Sequence, residues 1–330
     1  MHPAFSVIFL TTLIGAAQGM FMALVTGQVY SMANLLAPQD SVSFYAMGSL
    51  ISLILLGGGL VAAVFHLGKP SYFITRAWRG MSQWRTSWLS RELIALPAFM
   101  ALVFLYGAIH YMGWTAPWFV IKDVIPVDAS LLVGTLGVLM SLILFVSTAM
   151  IYASLRFLLE WHSPLTVANF IFFGLASGFT LAAAFSAWSG VDLVGFFGTW
   201  AVIFTMISAI SRGFSLLRNK KIKHKSTMKT ALGIRHTKIT QRSMGFMGGS
   251  FNTREYFHGA SDATLAAVRM FFLLAVFAVP VALLAASNAM ESAYLPMLAF
   301  LVQYVGLLAE RWYFFTEGKH PQNLYYQTVG

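Results

Sequence analysis

Eight apolar runs, each long enough to cross a hydrocarbon layer as a helix, constrain this chain more than any other feature: about residues 4–35, 44–65, 93–114, 130–157, 165–188, 193–210, 264–287 and 293–308. A layer of about 30 Å takes about 20 helical residues. The runs are continuous rather than alternating, so they read as helices and not as barrel strands. A helix also pairs every backbone N–H and C=O inside its own segment, where no water can do so. With 58% hydrophobic and 10% charged residues, a 330-residue chain has more apolar side chain than a water-soluble globule can bury. The expected fold is all-α: one integral-membrane unit over 1–330, with eight transmembrane helices in a bundle. The first run is longer than a signal-peptide core and has no A-x-A-like cleavage site, so it is expected to remain as a span.

The formal charge of +10 suggests nucleic acid in a soluble protein, but here its distribution decides the meaning. With the block 66–92 placed inside, every Lys and Arg except Lys122 and Arg269 falls on the inner side. Arg269 sits in the inner part of the seventh run. By the positive-inside rule both termini are cytoplasmic, the bilayer is the partner surface, and no nucleic acid is implied. Asp40, Asp123, Asp128, Asp192 and Glu291 lie on the other side. Two inward loops are long, 66–92 and 212–262. In the second, RNKKIKHKSTMK reads as a solvated basic run and GFMGGSFNTREYFHG as a packed, ordered loop.

The chain has no cysteine, so it offers no thiolate for an iron–sulfur cluster, and any metal centre belongs to a partner. A bis-haem site needs facing histidines at matched depth, and none of the 8 His lies mid-run. A haem-free bundle is expected. No inverted repeat or pair of short broken spans gives the signature of a secondary transporter.

The block from 65 to 92, FHLGKPSYFITRAWRGMSQWRTSWLSRE, concentrates the polar and aromatic chemistry. Arg76, Arg79 and Gln83 recur at helical spacing, as do Trp84 and Trp88, which predicts a short amphipathic helix in the interface. His66 ends the second run. It either caps that helix or hydrogen-bonds a quinone carbonyl and exchanges protons near its ordinary pKa of about 6.5. Glu92 opens the third run on the same side, able to relay that proton or to pair with Arg91. Trp84 and Trp88 form either part of an aromatic belt or the wall of an apolar slot. Within the runs, Gln18 and Arg269 are expected to face a cavity or a partner side chain. Gly15, Gly19, Gly57, Gly58 and Gly59 are expected where helices approach closely.

HPAFSVIFLTTLIGAAQG, FHLGKP and RAWRGMSQWRTSWLSRE together resemble the membrane-anchor subunit of the dimethyl-sulfoxide reductase family, and the resemblance extends over all eight runs. It implies an eight-helix, haem-free anchor that binds an iron–sulfur subunit and a molybdopterin catalytic subunit and exchanges electrons with quinone. The clusters and the molybdopterin then reside only in those partners. The quinone-associated His of HLG-x-P and the acid ending LS-x-E map onto His66 and Glu92, with Gly68 and Pro70 as the turn. The long basic loop and the 245–259 segment look similar to anchors of cytoplasmic membrane-bound sulfite dehydrogenases of sulfur-oxidising bacteria, in which electrons pass from sulfite to quinone. The alternative is the anchor of a dimethyl-sulfoxide-type reductase oxidising menaquinol; a passive scaffold is a further rival. The expected site has His66 and Glu92 as its proton-handling pair, with Gly68, Arg76, Arg79, Trp84, Trp88, Gln18 and Tyr106 around a ubiquinone or menaquinone. The expected location is the bacterial inner membrane, and the chain alone would catalyse only the quinone half-reaction.

Overall fold

A computed structural model describes residues 1–66, 78–121, 125–236, 238–239, 257–321 and 323. Helix α1 covers Phe5–Met32. A π-helical stretch, Ser41–Ala46, leads into α2, Met47–His66. Helix α3 is Trp88–Met112. A small antiparallel hairpin, β1 Phe119–Ile121 with β2 Ile125–Val127, pairs Val120 with Pro126. Then come α4 Ala129–Ala153, α5 Pro164–Ser189 and α6 Val194–Lys220. After a short α7, Met228–Leu232, the chain forms α8 Asp262–Leu273, a π-helical stretch Leu274–Ala278, α9 Val279–Met290, and α10 Tyr294–Glu317.

The helix ends carry ordinary local signals. Asp40 accepts from the amides of Val42 and Ser43, Ser87 from Ser90, Asp128 from Leu131 and Ser163 from Leu165. Each satisfies donors that a helix N-terminus leaves free. The Ser43 amide in particular holds the Asp40 carboxyl below the usual carboxylate range. Gly113 and Gly190 close α3 and α5 in left-handed conformation, with φ of 69° and 68°.

Seven helical segments among the described residues are long and apolar enough to cross a membrane, which makes the chain a membrane protein: α1, α2 with its π-helical lead, α3, α4, α5, α6, and α8 continued through α9. The remaining long helix, α10, has 24 residues but is not among the seven, since Gln303, Glu310 and Arg311 interrupt its apolar run. The apolar windows of α1 and α5 are 72% and 78% buried by protein, against 28–39% for the other five. These two helices are therefore the centre of the bundle, and the others present a face to the surroundings.

The centre depends on glycine. A Cβ on Gly19 would fall on the Gly174 carbonyl, and one on Gly178 would fall on the Gly19 backbone. The two backbones touch where each helix presents small residues four apart, the arrangement that lets membrane helices pack without side chains between them. Gly59 plays a lesser part, a Cβ there meeting Ile14 at 2.6 Å, while Gly57 has open space around it and takes no part in close packing.

Helices α6 and α10 outrun the apolar windows by about three turns, so the basic loop starts after Lys220 rather than at Arg212, and Arg212, Glu310 and Arg311 are carried into the bundle at 2%, 1% and 3% exposure. Of the expected interfacial helix, the described residues include helix over 78–81, followed by turns up to Ser87, while Arg76 lies outside them. Arg269 takes the second of its two expected alternatives, a partner side chain: on an exposed face of α8, it bonds the Tyr313 phenol. The basic run is not wholly solvated either: Arg218 donates to the carbonyls of Leu159 and His162, and His224 lies 3.1 Å from Glu160.

Gly178→Ala is expected to lower the thermal midpoint of the detergent-solubilised protein, because overpacking a tight contact costs about 1–3 kcal/mol. Gly57→Ala, placed in open space, should leave the midpoint unchanged, so equal behaviour of the two variants would refute the backbone contact.

Candidate functional site

The basic end of the bundle gathers the N-terminus of α3 with the C-termini of α4, α6 and α10. Successive helical residues are about 100° apart, so Arg91 and Glu92, adjacent in sequence, serve different faces of α3. Arg91 turns outward. Its Nε donates to the Trp84 carbonyl at 2.9 Å, an Nη donates to the Arg85 carbonyl at 3.0 Å, and its guanidinium stacks 4.0 Å from the Trp88 ring. One side chain thus holds the turn through two carbonyls and the Trp88 indole through its face, while Arg85 sits 5.5 Å from the Trp84 ring. The cation lies over an aromatic face, where the ring quadrupole attracts it.

Beside this turn an open groove of about 480 Å³ runs between α3 and α4, walled by Trp84, Trp88, Arg91, Ile94, Ile143 and Val146. Its lining is almost wholly apolar apart from the guanidinium and Ser147. A flat, largely apolar ring matches such a slot in shape and polarity.

Glu92 faces inward, 7% exposed, and accepts a hydrogen bond from Thr148 Oγ1 at 2.6 Å. The arrangement answers the question of its partner: Glu92 is bonded to a threonine on α4, while Arg91 is occupied with carbonyls of the turn. Thr148 follows Ser147 of the groove wall and also lines a partly open chamber of about 20 Å³, shared with Thr11, Thr12, Gln18, Ser177 and Arg311. That volume holds about one water.

The other predicted site residues spread widely. His66 is the last residue of α2. Gly68 and Arg76 lie outside the described residues. Arg79 is exposed beside Trp78, its guanidinium 5.4 Å from that ring. Gln18 is buried and donates to the Ser141 carbonyl at 2.7 Å, tying α1 to α4 at the rim of the chamber. Tyr106 is not near Glu92: about 21 Å of helix rise separates them at 1.5 Å per residue. Its phenol donates to Gln28 Oε1 at 2.9 Å, within a buried set that continues through Ser130 to Asp128, and its ring meets His110 edge-on at the opposite end of the bundle.

Sequence reading missed Thr148 and the buried charges behind the chamber. Arg212 Nε lies 2.9 Å from Glu310 Oε1 and its Nη1 lies 3.3 Å from Glu317 Oε2, while Arg311 Nε lies 3.3 Å from Glu310 Oε2. The Arg212 Nε–H is directed off the Glu310 carboxylate, making an ion pair without an aligned hydrogen bond. The Arg311 guanidinium sits 3.9 Å above the Phe170 ring. Adjacent Glu310 and Arg311, lying just past the last apolar run, are a signal that invites extending the helix.

Replacing Arg91 by Ala is expected to speed amide exchange over 84–87 by roughly tenfold, since a charged hydrogen bond contributes about 1.5–3 kcal/mol and partial exposure reduces that figure. Hydrogen exchange read by mass spectrometry tests it; unchanged rates would show that Arg91 does not hold the turn.

Comparison with known proteins gives two findings. Residues 1–326 match the family described as DMSO reductase anchor subunit (DmsC). The chain is also 57% identical over 329 residues to a sulfite dehydrogenase subunit of Allochromatium vinosum, covering 100% of both proteins.

Proposed function

Because the chain belongs to the DMSO reductase anchor subunit (DmsC) family, we propose that it is the membrane anchor and quinone-reactive subunit of a molybdopterin oxidoreductase, passing electrons from an iron–sulfur partner to quinone. The observation that carries this reading is the aromatic-walled apolar groove beside a carboxyl that is buried and bonded to a threonine hydroxyl. The proposed bundle has eight spans and no haem, with α10 as the eighth, and lies in the bacterial inner membrane. The sorting of Lys and Arg supports placing the basic end and both termini in the cytoplasm. That end then meets the iron–sulfur subunit, which in turn carries the molybdopterin catalytic subunit.

In this reading the groove between Trp84 and Trp88 takes the quinone ring, and Arg91 keeps the wall rigid. Two electrons reach the ring from the partner's iron–sulfur clusters, and two protons complete the quinol. His66 and Glu92 are the proposed donors, with His66 placed by its position at the end of α2. Imidazole and carboxyl each exchange protons in the physiological range when their surroundings tune them. Gly68 and Arg76 belong to the proposed surroundings through the resemblance alone, and Tyr106 does not, because it stands at the far end of α3.

Sulfite is the proposed electron source, from the full-length similarity to the Allochromatium vinosum protein. The family description favours a second reading, quinol oxidation coupled to S-oxide reduction, since the anchor's proton chemistry runs either way. The complex isolated from native membranes should reduce a soluble quinone when given sulfite; oxidation of quinol with dimethyl sulfoxide and inertness to sulfite would select the second reading. His66→Ala and Glu92→Gln should each lower quinone turnover by about 10²–10⁴-fold, the range of a positioned acid or base, while sulfite oxidation with an artificial acceptor persists. Wild-type quinone kinetics in either assembled variant would remove that residue from the mechanism. A reporter inserted within 221–227 should be active only if of the cytoplasmic kind.

A further inference from the structure

The buried charges behind Glu92 have no part in the groove. Arg212, Glu310 and Arg311 are each at least 97% buried, in a part of the bundle where an unpaired charge is costly. They form a continuous series: Glu317, 13% exposed by side chain, meets Arg212; Arg212 meets Glu310; Glu310 meets Arg311. Arg311 then lines the water-sized chamber, and across that chamber stands Thr148, whose hydroxyl is bonded to Glu92.

The charge inventory is informative. The ionisable groups along this series are Glu92, Glu310, Glu317, Arg212 and Arg311, with the phenols of Tyr152 and Tyr313 beside them and the exposed Arg269 bonded to Tyr313. Three carboxyls face two guanidiniums. Glu92 is the one without a guanidinium partner among the described residues, its carboxyl bonded instead to Thr148. A purely structural cluster would close its hydrogen bonds, yet Arg212 Nη2, Glu310 Oε2 and Ser211 Oγ are buried with no hydrogen-bond partner among the described residues. Such atoms retain capacity for water.

We propose that Glu317, Arg212, Glu310, Arg311, the chamber and Thr148 form a proton path from the basic-end surface to Glu92. The inference rests on the quinone reading above. For each quinone reduced, the partner's clusters supply two electrons; Glu92 gives one proton to a ring oxygen, and the path returns one to Glu92 from water at Glu317. Only O–H bonds form and break along the way. The guanidiniums stay charged and hold the carboxylates in line, while carboxyls, water and the Thr148 hydroxyl carry the proton.

The test uses the whole complex, with Thr148→Val, Thr148→Ser and Glu317→Gln. Thr148→Val should slow sulfite-driven quinone reduction by at least about tenfold and raise its solvent deuterium isotope effect, and Thr148→Ser should restore both. Glu317→Gln, at the rim where folding is least at stake, should show the same slowing, relieved by a small membrane-permeant weak acid such as hydrazoic acid. Reduction of an artificial acceptor by the iron–sulfur partner should be unchanged in all three. Wild-type turnover and isotope effect in Glu317→Gln, or a defect in that variant indifferent to the weak acid, overturns the path while leaving the quinone reading intact. A wild-type complex that reduces artificial acceptor but no quinone overturns the reading itself.

Discussion

Helices α1 and α5 approach until backbone meets backbone at Gly19 and Gly178, and the rest of the bundle is arranged around that contact. In hydrocarbon there is no hydrophobic force between helices, so close van der Waals contact must do what the expulsion of water does elsewhere. Glycines four apart on both helices supply it. The pair becomes a central axis, and α2, α4, α6 and α10 each pack against one or both members. Aromatic side chains then fill the space around the axis, with Phe21 edge-on to Phe99 and Tyr106, and Phe44 stacked against Phe185 and Phe197.

Toward the basic end the same axis leaves room for polar groups. Thr11, Thr12, Gly15 and Gln18 of α1 and Ser177 of α5 border the small chamber, which α4 and α10 complete with Thr148 and Arg311. Thr11, Thr12 and Ser177 also return their hydroxyls to carbonyls one turn back, so these residues stay satisfied inside their own helices. The chamber lies where these small and short polar residues stand among Phe145, Phe170 and Phe173.

Two kinds of surface thus lie on either side of α3 at one end of the molecule. On one face Trp84, Trp88 and Arg91 build an open apolar slot. On the other, Glu92 reaches a buried polar interior through Thr148. An electron acceptor that is apolar in the ring and proton-demanding at its oxygens requires both surfaces within a helix diameter of each other, which a single helix end provides.

The apolar runs by themselves determined that the chain is helical and membrane-embedded, because hydrocarbon admits few other ways to satisfy a backbone. The runs did not give the helix starts; four helical segments begin at Asp40, Ser87, Asp128 and Ser163, whose side chains cap them. The glycines of α1 were legible as packing residues, though their partners on α5 were not. What hydropathy hid was the fate of charged residues at run ends. A window sum stops at Ile210 and Leu308, whereas the helices continue, because Arg212, Glu310, Arg311 and Glu317 neutralise one another once three-dimensional packing brings α6 beside α10. Likewise nothing in the adjacency of Arg91 and Glu92 foretells that one holds a turn and the other bonds Thr148 on α4, or that Tyr106 belongs to the far end. Local residue type sets which segments are helical; only the crossing of helices decides which buried polar groups meet, since each partner comes from a distant part of the chain.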